Sequence, residues 1–210
     1  WNAKGRTPRQ FAFSFAVRRG MKDPGQFADW CDLHGPVAWD VYGSDWPSGE
    51  KRGVPGPVAE LLRKGKLPAF GEVLWDVYGM PWGEIKSAEQ LARNVAAEDR
   101  ALELARTLGD PALLQETLVI HGYIHALQAL AELKRVVTPD GVADKDQPAA
   151  RKWFATYIQG MRQAQAAIPE WERIVVKDLD YRPYTPETAR HVGERADQME
   201  ALARELGCEP

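Results

Sequence analysis

The stretch SAEQLARNVAAEDRALELARTLG, Ser87–Gly109, decides the fold, because its start, body and end each specify one long helix. Ser87 and Gln90 stand three apart, the spacing of a capping box in which hydroxyl and amide satisfy reciprocal backbone donors. Leu91, Val95, Leu102 and Ala105 then recur at helical spacing, and Gly109 supplies the achiral residue that closes helices in a left-handed turn.

The downstream sequence repeats this pattern. DPALLQETLVIHGYIHALQALAELKRVV opens at Asp110 and Pro111 and stops before Pro139. QPAARKWFATYIQGMRQAQAAI starts at Pro148 and carries Trp153, Tyr157, Ile158 and Met161 on one stripe. Pro169 is expected to break or kink that helix, with a short one, PEWERIVV, after it. TPETARHVGERADQMEALARELG, Thr185–Gly207, presents Val192, Ala196, Met199 and Leu206. Four long amphipathic segments with short connections argue for a helical bundle.

Upstream the segments shorten. TPRQFAFSFAVRRG has Thr7, Pro8 and Gln10 at its start and Gly20 at its end; DPGQFADWCDLHG repeats the design with Asp23, Pro24, Gln26 and Gly35. Three more units open on Pro36, Pro57 and Pro68 and close on Gly43, Gly65 and Gly79. Proline suits a first helical position and glycine the position past the end, so each unit reads as a short helix. WDVYG, present at Trp39–Gly43 and Trp75–Gly79, then forms the last turn of two of them. VAWDVY also fits a half-buried strand. The expected fold is all-α: a module of short Pro-started helices, residues 1–86, packed on or beside a bundle of about four longer helices, residues 87–210.

Composition narrows the function classes. No apolar run reaches the roughly 18 residues of a membrane span, so no membrane association is expected. The opening WNAKGRTPRQ is polar, without the apolar stretch of a signal peptide, and Cys31 and Cys208 form no disulfide framework. A cytoplasmic setting is expected. Up to Lys66 there are eleven Lys and Arg against seven Asp and Glu, about +4, which leaves about −7 for the remainder of a chain of net −3.

Three groups of residues invite a functional reading. Trp39, Tyr42, Trp46, Trp75, Tyr78 and Trp82 concentrate aromatics around a Pro- and Gly-rich loop at 44–56, and Trp and Tyr dominate interface energetics. They serve either as a small aromatic core or as contact anchors. His121 and His125, four apart on one helix, share a face and could hold a transition metal, with Glu98, Glu132, Glu187 or His191 as further ligands. The pair lies opposite the main apolar arc through Leu113, Ile120, Tyr123, Ile124 and Leu127, and paired Glu-x-x-His motifs are absent.

Arg9, Arg18, Arg19 and Lys22, with Lys51 and Arg52, suggest contact with nucleic-acid phosphates. The second helix of the hairpin opposes a helix-turn-helix reading, since it carries Asp29 and Asp32 and no Lys or Arg. Phe11 and Phe15 are expected to pack. Asp40 and Asp76 could hold an indole N–H, cap a helix or act as a carboxylate pair. Cys31 and His34, three apart, have no visible orienting partner.

No phosphate-cradling glycine loop and no nucleophile elbow appears. The leading expectation is a non-catalytic interaction or assembly subunit that docks a protein partner or another copy of itself through the aromatic module, without a cofactor. The alternatives are a metal-dependent helical enzyme using His121 and His125, and a nucleic-acid-binding accessory protein using the basic N-terminal helix.

Overall fold

The computed structural model describes residues 5–42, 58–72, 81–175 and 186–209. The protein is all-α: α1 (Pro8–Arg18), α2 (Pro24–Tyr42), α3 (Val58–Arg63), α4 (Ala88–Leu108), α5 (Pro111–Val136), α6 (Gln147–Val175) and α7 (Pro186–Glu205). A two-stranded antiparallel ribbon, β1 (Val137–Thr138) and β2 (Gly141–Val142), pairs Val137 with Val142 in the α5–α6 connection.

Helix ends follow the local chemistry. Thr7 and Gln10 form the full capping box of α1. At its other end Gly20 adopts φ +66, the Met21 N–H donates to the Ala16 carbonyl and the Gly20 N–H to that of Val17. These two bonds are the Schellman closure, and the same pair recurs at Gly65 and Gly207. For α4, Ser87 caps as expected, accepting from the Gln90 N–H, but the Gln90 side chain accepts from the Lys86 N–H instead of the Ser87 N–H. Asp110 caps α5 by accepting from the Ala112 and Leu113 N–H groups.

Proline punctuates less than the sequence suggests. α2 runs unbroken through Gly35 and Pro36, and α6 runs unbroken through Pro169 to Val175, so neither separate short helix exists. A proline inside a helix costs about 3 kcal/mol. α2 offsets this by burying both of its halves: Phe27, Ala28 and Trp30 before Pro36, and Val37, Ala38 and Val41 after it. In α6, Ile168 is fully buried beside Pro169 and Trp171 packs on the same core.

The helix expected to open at Pro68 is also absent over 66–72, where Gly71 has φ +78. There the Pro68 carbonyl accepts from the Trp82 indole at 3.1 Å and from Lys134 Nζ at 2.7 Å. The rest of that segment, 73–79, lies outside the described residues.

α5 is the central helix and packs most extensively on α6, which also packs on α7, while α4 and α5 form a hairpin. One core cluster takes Val37, Val41, Leu62, Trp82 and Ile85 from the front of the chain together with Ile120, Ile124, Phe154, Met161 and Met199 from the long helices. A second, smaller cluster sits where α1 and α2 meet α4: Ala12, Ala16, Phe27, Trp30, Ala101, Leu104 and Ala105. α1 therefore lies at the periphery, with Ala12 and Ala16 as its buried residues.

Candidate functional site

Only Ala12 and Ala16 of α1 are buried. Phe11 is 65 % exposed, Val17 55 %, Phe13 48 % and Phe15 38 %. At about 100° per residue, Phe11 and Phe15 flank the alanine stripe on one side and Phe13 and Val17 on the other. An outer helix normally keeps a polar face toward water. Here the pole opposite the alanines carries Gln10, Ser14 and Arg18, but Phe11 on one flank and Phe13 and Val17 on the other also stand exposed. Phe15 packs as expected, stacking on Phe27 with ring centroids 5.9 Å apart, whereas Phe11 does not conform to that expectation.

The aromatic set divides. Trp39 is 75 % exposed, while Trp82 is 1 % exposed and belongs to the core, against the Phe70 ring at 4.6 Å. Trp82 therefore offers no surface to a partner. Trp46, Trp75 and Tyr78, and the side chain of Tyr42, lie outside the described residues. Asp40 serves as a helix anchor: its Oδ2 accepts from the amides of Gln90 and Asn94, each at 2.8 Å, and its carbonyl accepts from the Glu84 N–H at 2.9 Å. Thus the first WDVYG copy fastens α2 to the start of α4. Asp76, in the second copy, lies outside the described residues.

Of the basic residues, Arg9 is committed to Asp29 at 2.5 Å and Asp32 at 2.6 Å, the two acids of α2. Arg18, Arg19 and Lys22 are exposed, with the Arg19 guanidinium 5.4 Å from the centre of the Phe15 ring. Lys51 and Arg52 lie outside the described residues.

His121 and His125 do share one face of α5, and their ring centroids are 4.4 Å apart. The third member of the cluster is Asp99 from α4, whose Oδ1 accepts from His121 Nε2 at 3.1 Å and His125 Nε2 at 2.8 Å. Gln163 of α6 donates from Nε2 to His121 Nδ1 at 3.0 Å and to the Leu118 carbonyl at 2.9 Å. Burial, and then repulsion from His125, lowers the His121 pKa, so this ring is neutral near pH 7. Three of the four ligands suggested by sequence do not join the pair. Glu98 faces His34, Glu132 lies 3.4 Å from Arg135, His191 is buried beside Arg190, and the side chain of Glu187 is outside the described set.

Sequence reasoning missed Asp99, although a signal was present. A hairpin closing at Gly109–Pro111 places residues about ten before the turn opposite those about ten after it, which is the relation of Asp99 to His121.

A second polar cluster is enclosed where α2, α4 and α5 meet. His34 Nδ1 lies 3.0 and 3.2 Å from the two oxygens of Glu98, and His34 Nε2 lies 3.7 Å from Glu116 Oε1. The His34 ring stacks on Trp30 at 4.5 Å, and the Trp30 indole donates to Thr117 Oγ1 at 2.9 Å. Burial opposes the charged form of His34, but hydrogen bonding and attraction from Glu116 and Glu98 outweigh it and raise the pKa to about 9. Burial likewise raises that of Glu98, against the opposing pull of His34. Cys31 is no nucleophile for this histidine, because burial, Asp32 and Glu116 push its thiol to about 11.

Comparison of the chain with protein-family models, curated proteins and solved structures gives no match. Among the described residues no helix is long and apolar enough to cross a membrane.

Proposed function

We propose that this protein is an assembly subunit that docks a second copy of itself through α1. The single observation that supports this reading is the exposure of Phe11, Phe13 and Val17, which flank the buried alanine stripe of a peripheral helix. Exposed apolar patches of this kind mark interaction surfaces. Arg6, which lines a groove with Phe13, and Arg18 and Arg19 are exposed among these residues, and α1 carries no acid, so the fitting occupant is apolar with acidic groups beside it. The part of this chain after Lys66, at about −7, has the matching charge. Of the aromatic set, Trp39 adds an exposed contact residue.

Burying one such phenylalanine contributes about 2 kcal/mol. Three apolar side chains give about 5 kcal/mol, and the lost freedom of two molecules opposes it, so the association is weak and reversible. Sedimentation velocity tests this on the full chain and on a Phe11→Ser/Phe13→Ser/Val17→Ser variant. The wild type is expected to associate as its concentration rises, and the variant to remain monomeric with unchanged helical content. A wild type that stays monomeric and behaves like the variant overturns the reading.

A further inference from the structure

We infer that Asp99, His121 and His125 form a binding site for a divalent first-row transition metal, zinc in the first instance. The inference is independent of the docking role of α1. The ligand-type atoms of the three residues lie within 4.8 Å of one another. A tetrahedral zinc ion with bonds of about 2.0–2.1 Å holds its ligand atoms roughly 3.3 Å apart. Asp99 Oδ1 is 3.1 Å from His121 Nε2 and 2.8 Å from His125 Nε2, so an ion entering between them needs only a slight opening of the set.

The donor chemistry selects the ion. Two imidazoles and one carboxylate suit zinc and its neighbours, whereas calcium and magnesium require oxygen ligands. The scaffold is rigid: both histidines project from one turn of the central helix, and Asp99 from its hairpin partner. The side chains of His121 and His125 retain 19 % and 25 % of their exposure and that of Asp99 53 %, so the set opens to water on one side. Three protein ligands beside an open position is the arrangement in which solvent completes the coordination.

Gln163 is a positioning residue for this site. At present it donates to His121 Nδ1, which leaves the ring proton on Nε2, facing Asp99. A metal at Nε2 requires that proton on Nδ1, so Gln163 must turn its amide and give up its bond to the Leu118 carbonyl. A carboxylate at position 163 would accept the Nδ1 proton directly and make His121 the better ligand. The histidines therefore do not act alone: their metal affinity is set in part from α6.

The test uses the tag-free full chain, stripped with chelator and titrated with zinc chloride by calorimetry and with cobalt(II) by visible absorption. One equivalent of zinc is expected to bind saturably, and cobalt(II) to show the ligand-field bands of a low-coordinate site. Asp99→Asn and His125→Gln are expected to weaken binding by about 100-fold, and Gln163→Glu to tighten it by about 10-fold, a gain that a merely structural Gln163 would not give. Glu132→Gln, on the same helix face but outside the set, should leave the affinity unchanged. Absence of saturable one-to-one binding overturns the proposal. So does binding that survives both Asp99→Asn and His125→Gln in folded protein, since the ion is then held elsewhere.

Discussion

Gly122 of α5 and Gly160 of α6 bring two helix backbones into direct contact: a Cβ placed on either would collide with the carbonyl oxygen of the other. This crossing fixes the distance between the central helix and its main partner, and it delivers Gln163, one turn beyond Gly160, to His121 at 3.0 Å. Alanine at Gly160 would raise helix propensity by about 1 kcal/mol, yet a clash with main chain cannot be relieved by a rotamer change. Gly160→Ala is expected to destabilise the fold by roughly 1–3 kcal/mol in urea denaturation. A neutral or stabilising result would show that the two helices separate without penalty.

The two tryptophans of the first and second aromatic repeats that can be compared predict opposite phenotypes. Trp82 is enclosed and its indole is bonded to the Pro68 carbonyl, so Trp82→Ala should cost about 3–5 kcal/mol. Trp39, 75 % exposed, should change stability by no more than about 0.5 kcal/mol when replaced by alanine. Thermal denaturation of the two variants separates them. Equal losses would contradict the placement of one in the core and the other at the surface.

Stability should depend on pH through His34. Its pKa rises from 6.5 to about 9 on folding, so the folded state holds this proton more tightly than the unfolded chain does. The stabilisation is complete below about pH 6.5 and is lost as pH rises through 9. The groups facing the ring are Glu98 from α4 and Glu116 from α5, with Trp30 stacked on it. Denaturant midpoints between pH 6.5 and 8, below the range in which the Cys31 thiol contributes, are expected to fall for the wild type and to stay level for a His34→Gln/Glu98→Gln pair, which keeps polar groups in place without charge. A wild-type midpoint that rises over this interval would mean that His34 is neutral in the fold.

Local signals carried much of the fold. The caps at Thr7, Ser87 and Asp110 and the closures at Gly20, Gly65, Gly109 and Gly207 stand where side-chain chemistry placed them, because each depends on neighbours within about five residues. Pro36 and Pro169 depart from the sequence expectation for the opposite reason. Their local cost is real, but burial on both sides outweighs it, and that burial depends on partners distant in sequence.

The candidate sites divide along the same line. The shared face of His121 and His125 follows from the helical period, whereas Asp99 joins them only through the register of the α4–α5 hairpin. The outward phenylalanines of α1 were illegible because Phe11, Ala12, Phe15 and Ala16 fit an inward-facing stripe equally well. Which side turned inward was decided by the close fit of the alanines against α2.

Amide hydrogen exchange over residues 8–18, measured on the full chain at low and high protein concentration, tests most directly whether a second copy covers α1. The account predicts exchange that slows as concentration rises, with the concentration effect abolished in the Phe11→Ser/Phe13→Ser/Val17→Ser variant. Exchange in α1 that is the same at both concentrations, in the wild type as in the variant, would contradict it.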